Sequence, residues 1–134
     1  MSVFNIWDIP GFEIPEPCRR ILRLLMSPET TNTKELSFIA AIIPPGCTTC
    51  LHEHQDSSEW MYIVSGRGKC VIDGKETDIG PDTLVYAPKG VKHEIRNTGD
   101  ETVKIVAIFV PPLKPEGSYK DLIEKTKVYV QRKP

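Results

Sequence analysis

The chain is short of several things that would have announced a role. Its formal charge is −1, and no basic stripe is available to track phosphates, so nucleic acid is not an expected partner. No apolar run is long enough to span a bilayer; the stretch from Val103 to Leu113 is short and interrupted, and no membrane partner is expected. The N-terminus lacks a basic region followed by a long apolar stretch, which makes a cytoplasmic protein the expectation. There are no repeats at solenoid periods and no low-complexity tract. Histidine is scarce too, with three in 134 residues. Hydrophobic residues at 40% and charged residues at 26% describe an ordinary globular chain, long enough to bury one core.

What is present is turn chemistry. Pro10, Pro15 and Pro17 mark residues 1–18 as an extended N-terminal arm, since proline removes backbone donors and disfavours helix. Residues 19–113 then alternate short β-rich runs with breakers. The runs are RRILRLL, ELSFIAAIIP, EWMYIVSG, GKCVIDG, KETDIG, TLVYAP, HEIRN and TVKIVAIFV. Asp73-Gly74 between two of them is a strong hairpin signal, because a two-residue turn needs positive φ. Many short strands at this spacing predict an all-β barrel or sandwich. Residues 114–134 read as a short helix and tail of the same single domain, with Ser118 as cap, Thr126 as the end, and Leu122 and Ile123 as apolar contacts.

All three histidines fall into one scheme. His52 and His54 stand two apart, so in a strand both imidazoles point to one face. Glu59 follows a polar loop where the next run begins, and His93 opens a later run after Pro88-Lys89-Gly90. Three imidazoles and a carboxylate make a mixed nitrogen and oxygen set. It suits one divalent transition metal per chain (Fe, Mn, Zn, Ni or Co) and not calcium. On parity, Met61 and Ile63 share Glu59's face and are expected to line or back the pocket, while Trp60 and Tyr62 lie on the other face. Leu84 or Tyr86 could add to the pocket from a facing strand whose parity the Gly80-Pro81-Asp82 turn leaves open.

The four cysteines (Cys18, Cys47, Cys50 and Cys70) are expected as free thiols in a reducing compartment. Cys47 and Cys50 form a C-x-x-C pair, but it follows a Pro-Pro-Gly turn instead of opening a helix, where a dipole would lower the thiol pKa. A zinc site would need two more ligands, and the histidines are already used. Cys50 shares parity with His52 and His54 and is a candidate to face the pocket; the plainer alternative is a small buried apolar residue.

These spacings resemble the cupin superfamily. Its first motif is matched throughout by Gly46, five residues, His52-Glu53-His54, four residues, Glu59, six residues and Gly66. Its second is matched by Pro88, Gly90, His93 and Asn97, with Asp82 standing where the family has a leading glycine, a position Asp tolerates in turns of positive φ. The resemblance implies a double-stranded β-helix, or jelly roll, with His52, His54, Glu59 and His93 as the metal ligands. It also implies open coordination positions and a homodimer, with the arm and the Trp60/Tyr62 face near the interface. A metalloenzyme acting on a small oxygen-rich molecule follows, of dioxygenase, isomerase, decarboxylase or cyclase type, with Glu59 as an added proton shuttle. The alternatives are a non-enzymatic module that binds a sugar or organic acid, and a weaker thiol-redox reading through Cys47 and Cys50.

Overall fold

The computed structural model describes residues 3–132. Nine strands and one helix build a jelly roll of two antiparallel sheets. The strands are β1 (Phe12–Ile14), β2 (Arg20–Met26), β3 (Ser37–Ile43), β4 (Ser58–Ser65), β5 (Gly68–Ile72), β6 (Lys75–Ile79), β7 (Thr83–Ala87), β8 (His93–Arg96) and β9 (Val103–Val110); the helix is α1 (Gly117–Arg132). The larger sheet runs β1-β2-β3-β9-β4-β7 and the smaller β6-β5-β8. Every run expected as a strand is one. The β5–β6 hairpin turns on Asp73 and Gly74, both at positive φ, and Asp82 adopts φ 65°.

The core lies between the sheets because each strand alternates its faces. On β9, Val103, Ile105, Ala107 and Phe109 are buried, and the residues between them face outward. Leu24, Ile43 and Ile63 meet Cys70, Ile79 and Ile95 from the smaller sheet. Gly66, a motif glycine, passes so close to the neighbouring chain that a Cβ would run into the Thr102 carbonyl oxygen.

Both ends do more than the sequence announces. The N-terminal segment holds a 3-10 turn over Ile6–Asp8 and contributes β1, which pairs with β2. Ile9 packs with Leu25 and Ala40 on the outer face of the larger sheet. The helix begins at Gly117, so Ser118 lies inside it, and it runs past Thr126 to Arg132. Leu122, Ile123 and Thr126 are its buried side, and Tyr119 reaches back to Ser37, hydroxyl to hydroxyl at 2.9 Å. No helix among the described residues is long and apolar enough to cross a membrane.

Candidate metal centre

Four side chains converge where the two sheets part. His52, His54, Glu59 and His93 each bring one ligand atom within 4.8 Å of all the others. Glu59 arrives by sheet register: on β4 it sits opposite Ala87 of β7 and Phe109 of β9, on the inward face with Met61 and Ile63. His93 is the first residue of β8 and is buried.

The two remaining histidines arrive differently from the expectation. The segment from Gly46 to His54 is not a strand; Thr48 and His52 make only isolated bridges, to Arg96 and His93. It lies along β8 as a strap, held by Gly46 N to Asn97 O, Thr49 N to Ile95 O, and reciprocal bonds of 3.0 and 2.8 Å between His52 and His93. Positive φ at Gly46 and Cys50 breaks the ladder between these points. Asn97, the last motif position, ties the far end by donating Nδ2 to the Ile43 and Glu101 carbonyls.

The donor set fits a metal ion. His52 Nδ1 donates to the Cys50 carbonyl at 2.8 Å, and His93 Nδ1 to the Val91 carbonyl at 3.0 Å. Each bond fixes the ring and leaves Nε2 turned to the cluster, the usual way of preparing an imidazole for a cation. Glu59 Oε1 lies 2.9 Å from His93 Nε2 and 3.5 Å from His54 Nε2. Burial alone would raise the Glu59 carboxyl, but the bonds from His54 and His93 outweigh it and hold it at about 2. Burial and the charges of His93 and His54 push His52 down to about 4, against the pull of the Cys50 carbonyl. His93 moves upward: burial opposes its charge, yet Glu59 and the Val91 carbonyl prevail.

The cluster stands at one end of a cavity of about 220 Å³. Met61, Phe109, Ile105, Leu22 and Leu113 supply apolar walls, and Arg20, Thr49, Ser118 and Tyr119 are the other polar residues lining it. A more open hollow shares His54, Leu113 and Tyr119 with it and carries Glu53, Asp56 and Lys114.

Several expected pocket residues stand elsewhere. Ile63 is fully buried behind the cavity and does not line it. Tyr86 is a correction: it is 47% exposed and stacks on Trp60 outside the barrel. The register puts Ala87 and Val85 opposite Glu59 and Met61, so Tyr86 and Leu84 must share the outer face with Trp60 and Tyr62. Cys50 is a second correction. It is bridged to Cys18, with their Cα atoms 5.4 Å apart, and so is neither a free thiol nor part of the cavity wall. Parity fails there because Cys50 is left-handed, and the partner lies 32 residues back in the chain. The C-x-x-C pair is therefore split: Cys47 and Cys70 are free, and Cys70 is buried.

Arg20, Phe109 and Tyr119 were not anticipated at the site. Arg20 had a legible signal, since it shares parity with Leu22 and Leu24, the inward face of β2.

A family model described as a cupin domain matches residues 40–109. The chain is 33% identical over 98 residues to an uncharacterised protein of Methanocaldococcus jannaschii, covering 73% of this chain and 78% of that one. It is 30% identical to an oxalate-binding protein of Thermotoga maritima, over 64% of this chain and 71% of the relative. The crystal structure of a predicted oxalate decarboxylase from Thermotoga maritima superposes with a TM-score of 0.75 at 25% identity, covering 82% and 99% of the two chains.

Proposed function

The chain belongs to the cupin family, and from that premise we propose that it is a metalloenzyme acting on a small oxygen-rich molecule. One divalent transition metal (Fe, Mn, Zn, Ni or Co) would be held by His52, His54, Glu59 and His93. The observation that carries this reading is the convergence of three imidazoles and one carboxylate at the end of an apolar cavity. When bound, such a metal supplies Lewis-acid polarisation of a ligand's oxygens.

The chain's own residues do the rest. The Cys50 and Val91 carbonyls hold two rings in place. The apolar walls exclude water and sharpen every charge interaction inside. Glu59 is the one carboxylate lining the cavity among the described residues, so once released from the metal it is the group that would take a proton from a substrate there. Turnover screens of metal-loaded protein with catechols, thiols, keto acids and sugars test the reading. Conversion should vanish in His93→Ala, and conversion that survives that change would exclude metal catalysis.

A second reading, a non-enzymatic binding module, draws on the relative named as oxalate-binding. Tight binding of a small acid without conversion would favour it. We further propose that residues 1–18, 19–113 and 114–134 unfold as one cooperative domain, and that the protein works in the cytoplasm. The Cys18–Cys50 bridge weighs against the second point, because disulfides are uncommon in reducing compartments; cell fractionation decides it, and recovery outside the cytoplasm would refute it. Finally, we propose a homodimer through the outer face of β4 and β7. There Trp60 stacks on Tyr86 at 5.1 Å, and Leu84 is 64% exposed on edge strand β7. A monomer by light scattering at micromolar concentration would refute it.

A further inference from the structure

Strand β2 begins with a cation aimed into the barrel. Arg20 shares the inward face with Leu22 and Leu24, and it lines the same cavity as the four converging ligands. One guanidinium nitrogen donates to the Cys18 carbonyl at 2.7 Å. No carboxylate lies within ion-pair distance of it among the described residues, although the barrel surface carries several Lys and Arg pairs that are so matched. Of the other polar side chains of the inner wall outside the ligand cluster, Thr49 and Tyr119 are already engaged and Ser118 adds a single hydroxyl. Thr49 Oγ1 accepts from Ile95 N, and the Tyr119 hydroxyl is bonded to Ser37. Apart from that hydroxyl, the unspent donors of the wall are concentrated on Arg20.

The charge balance of the cavity points the same way. Burial disfavours the charge of Arg20, and Glu59 is the charged group that offsets this, acting on the guanidinium without an ion-pair contact. A divalent cation on the four ligands would claim that carboxylate for itself. The cavity would then hold a surplus of positive charge among apolar walls of Leu22, Ile39, Met61, Ile105, Phe109 and Leu113, an arrangement that is costly unless an anion completes it.

We propose that Arg20 is a specificity-determining residue that pairs with the carboxylate of the substrate, and that the substrate is a small monocarboxylic acid with an apolar body. This deepens the metal-site reading and rests on it for the surplus charge. Guanidinium pairs with carboxylate through parallel hydrogen bonds, and the apolar walls take the hydrocarbon portion. A cavity of about 220 Å³ lies below the range of roughly 300–1,000 Å³ that accommodates drug-sized ligands, so the acid is compact. Oxalate, polar at both ends, would leave those walls unused.

The test is calorimetric titration of the full chain, zinc-loaded and metal-stripped, with 3-phenylpropionate, its neutral amide and oxalate. Wild-type zinc-loaded protein should bind the acid about ten-fold or more tighter than the amide, as a charge-assisted hydrogen bond commands, and tighter than oxalate. Arg20→Gln should abolish the preference for acid over amide without changing zinc stoichiometry, and Arg20→Lys should retain part of it. Equal affinity for acid and amide in the wild type, tighter binding of oxalate, or a preference that survives Arg20→Gln would each overturn the proposal. A chain that takes up no zinc yet keeps an Arg20-dependent preference when stripped would refute the metal reading and leave this one standing.

Discussion

The two halves of the candidate centre are held by different means. Glu59 and His93 sit on strands whose register leaves little freedom: Glu59 is fixed between Ala87 and Phe109, and His93 is bonded to its neighbours as β8 begins. His52 and His54 sit on a strap that no regular ladder supports. The strap is clipped to β8 at separated points and covalently to the start of β2 by Cys18–Cys50. A sheet therefore delivers one half by repetition, and the other half needs individual fastenings. The bridge has a particular place in this scheme. Cys18 offers its carbonyl to Arg20, and Cys50 offers its own to His52, so a single covalent link joins the supports of the cavity's arginine and of one imidazole.

The largest effect should come from the strand-borne half. Glu59→Gln removes the charge that all three imidazoles surround and should cost more than about 100-fold in zinc affinity, since even outer supports of a ligand carry 10–100-fold. Competition with a chelator of known affinity measures it. If the loss is no greater than for the strap substitutions, the two halves are not distinct.

Loosening the strap comes next. Cys18→Ser releases a bridge closing a separation of 32 residues and should lower unfolding free energy by ~4 kcal/mol on loop-entropy grounds. It should also weaken zinc binding by about 10-fold, because the Cys50 carbonyl then orients His52 less firmly. Denaturant titration and the same chelator assay report the two effects separately. A stability loss with unchanged zinc affinity would show that the strap needs no fastening.

A smaller, pH-linked effect separates the imidazoles. His93 is raised by its bond to Glu59, so its proton competes with the metal. Affinity is complete above that raised value and falls as pH drops through it. His52, held at about 4, adds nothing to the decline until far lower pH. Zinc binding near neutrality should accordingly release about one proton from the Glu59–His93 pair, measured by calorimetry in buffers of different ionisation enthalpy. The smallest effect belongs to the outer face. Tyr86→Ala should cost ~1 kcal/mol of stability through its stack on Trp60 and leave zinc affinity untouched.

The same division explains what the sequence disclosed. Strand runs and turns were legible because alternation and breakers are local: EWMYIVSG placed Glu59, Met61 and Ile63 on one face, as β4 does. The hairpin at Asp73-Gly74 and the positive φ of Asp82 were legible for the same reason. Tyr86 was misplaced because its orientation depends on cross-strand pairing with β4, which no local pattern encodes. Cys50 was misplaced because a parity rule was carried into a segment that is not a strand. Its partner Cys18 is near only once β2 and the strap are side by side. Phe109 and Tyr119 reach the cavity from β9 and α1, so their part in it depends on tertiary packing alone. Arg20 could have been read: a cation on the apolar face of RRILRLL is the kind of local conflict that marks a site.

Whether the four residues form one metal centre is read from metal content after equilibrium dialysis against zinc, measured by elemental analysis on wild type and on His52→Ala, His54→Ala, Glu59→Gln and His93→Ala. One equivalent per chain is expected in the wild type and a substoichiometric content in every variant at the same free zinc. No bound zinc in the wild type, or a full equivalent retained in any variant, would contradict a single four-residue centre.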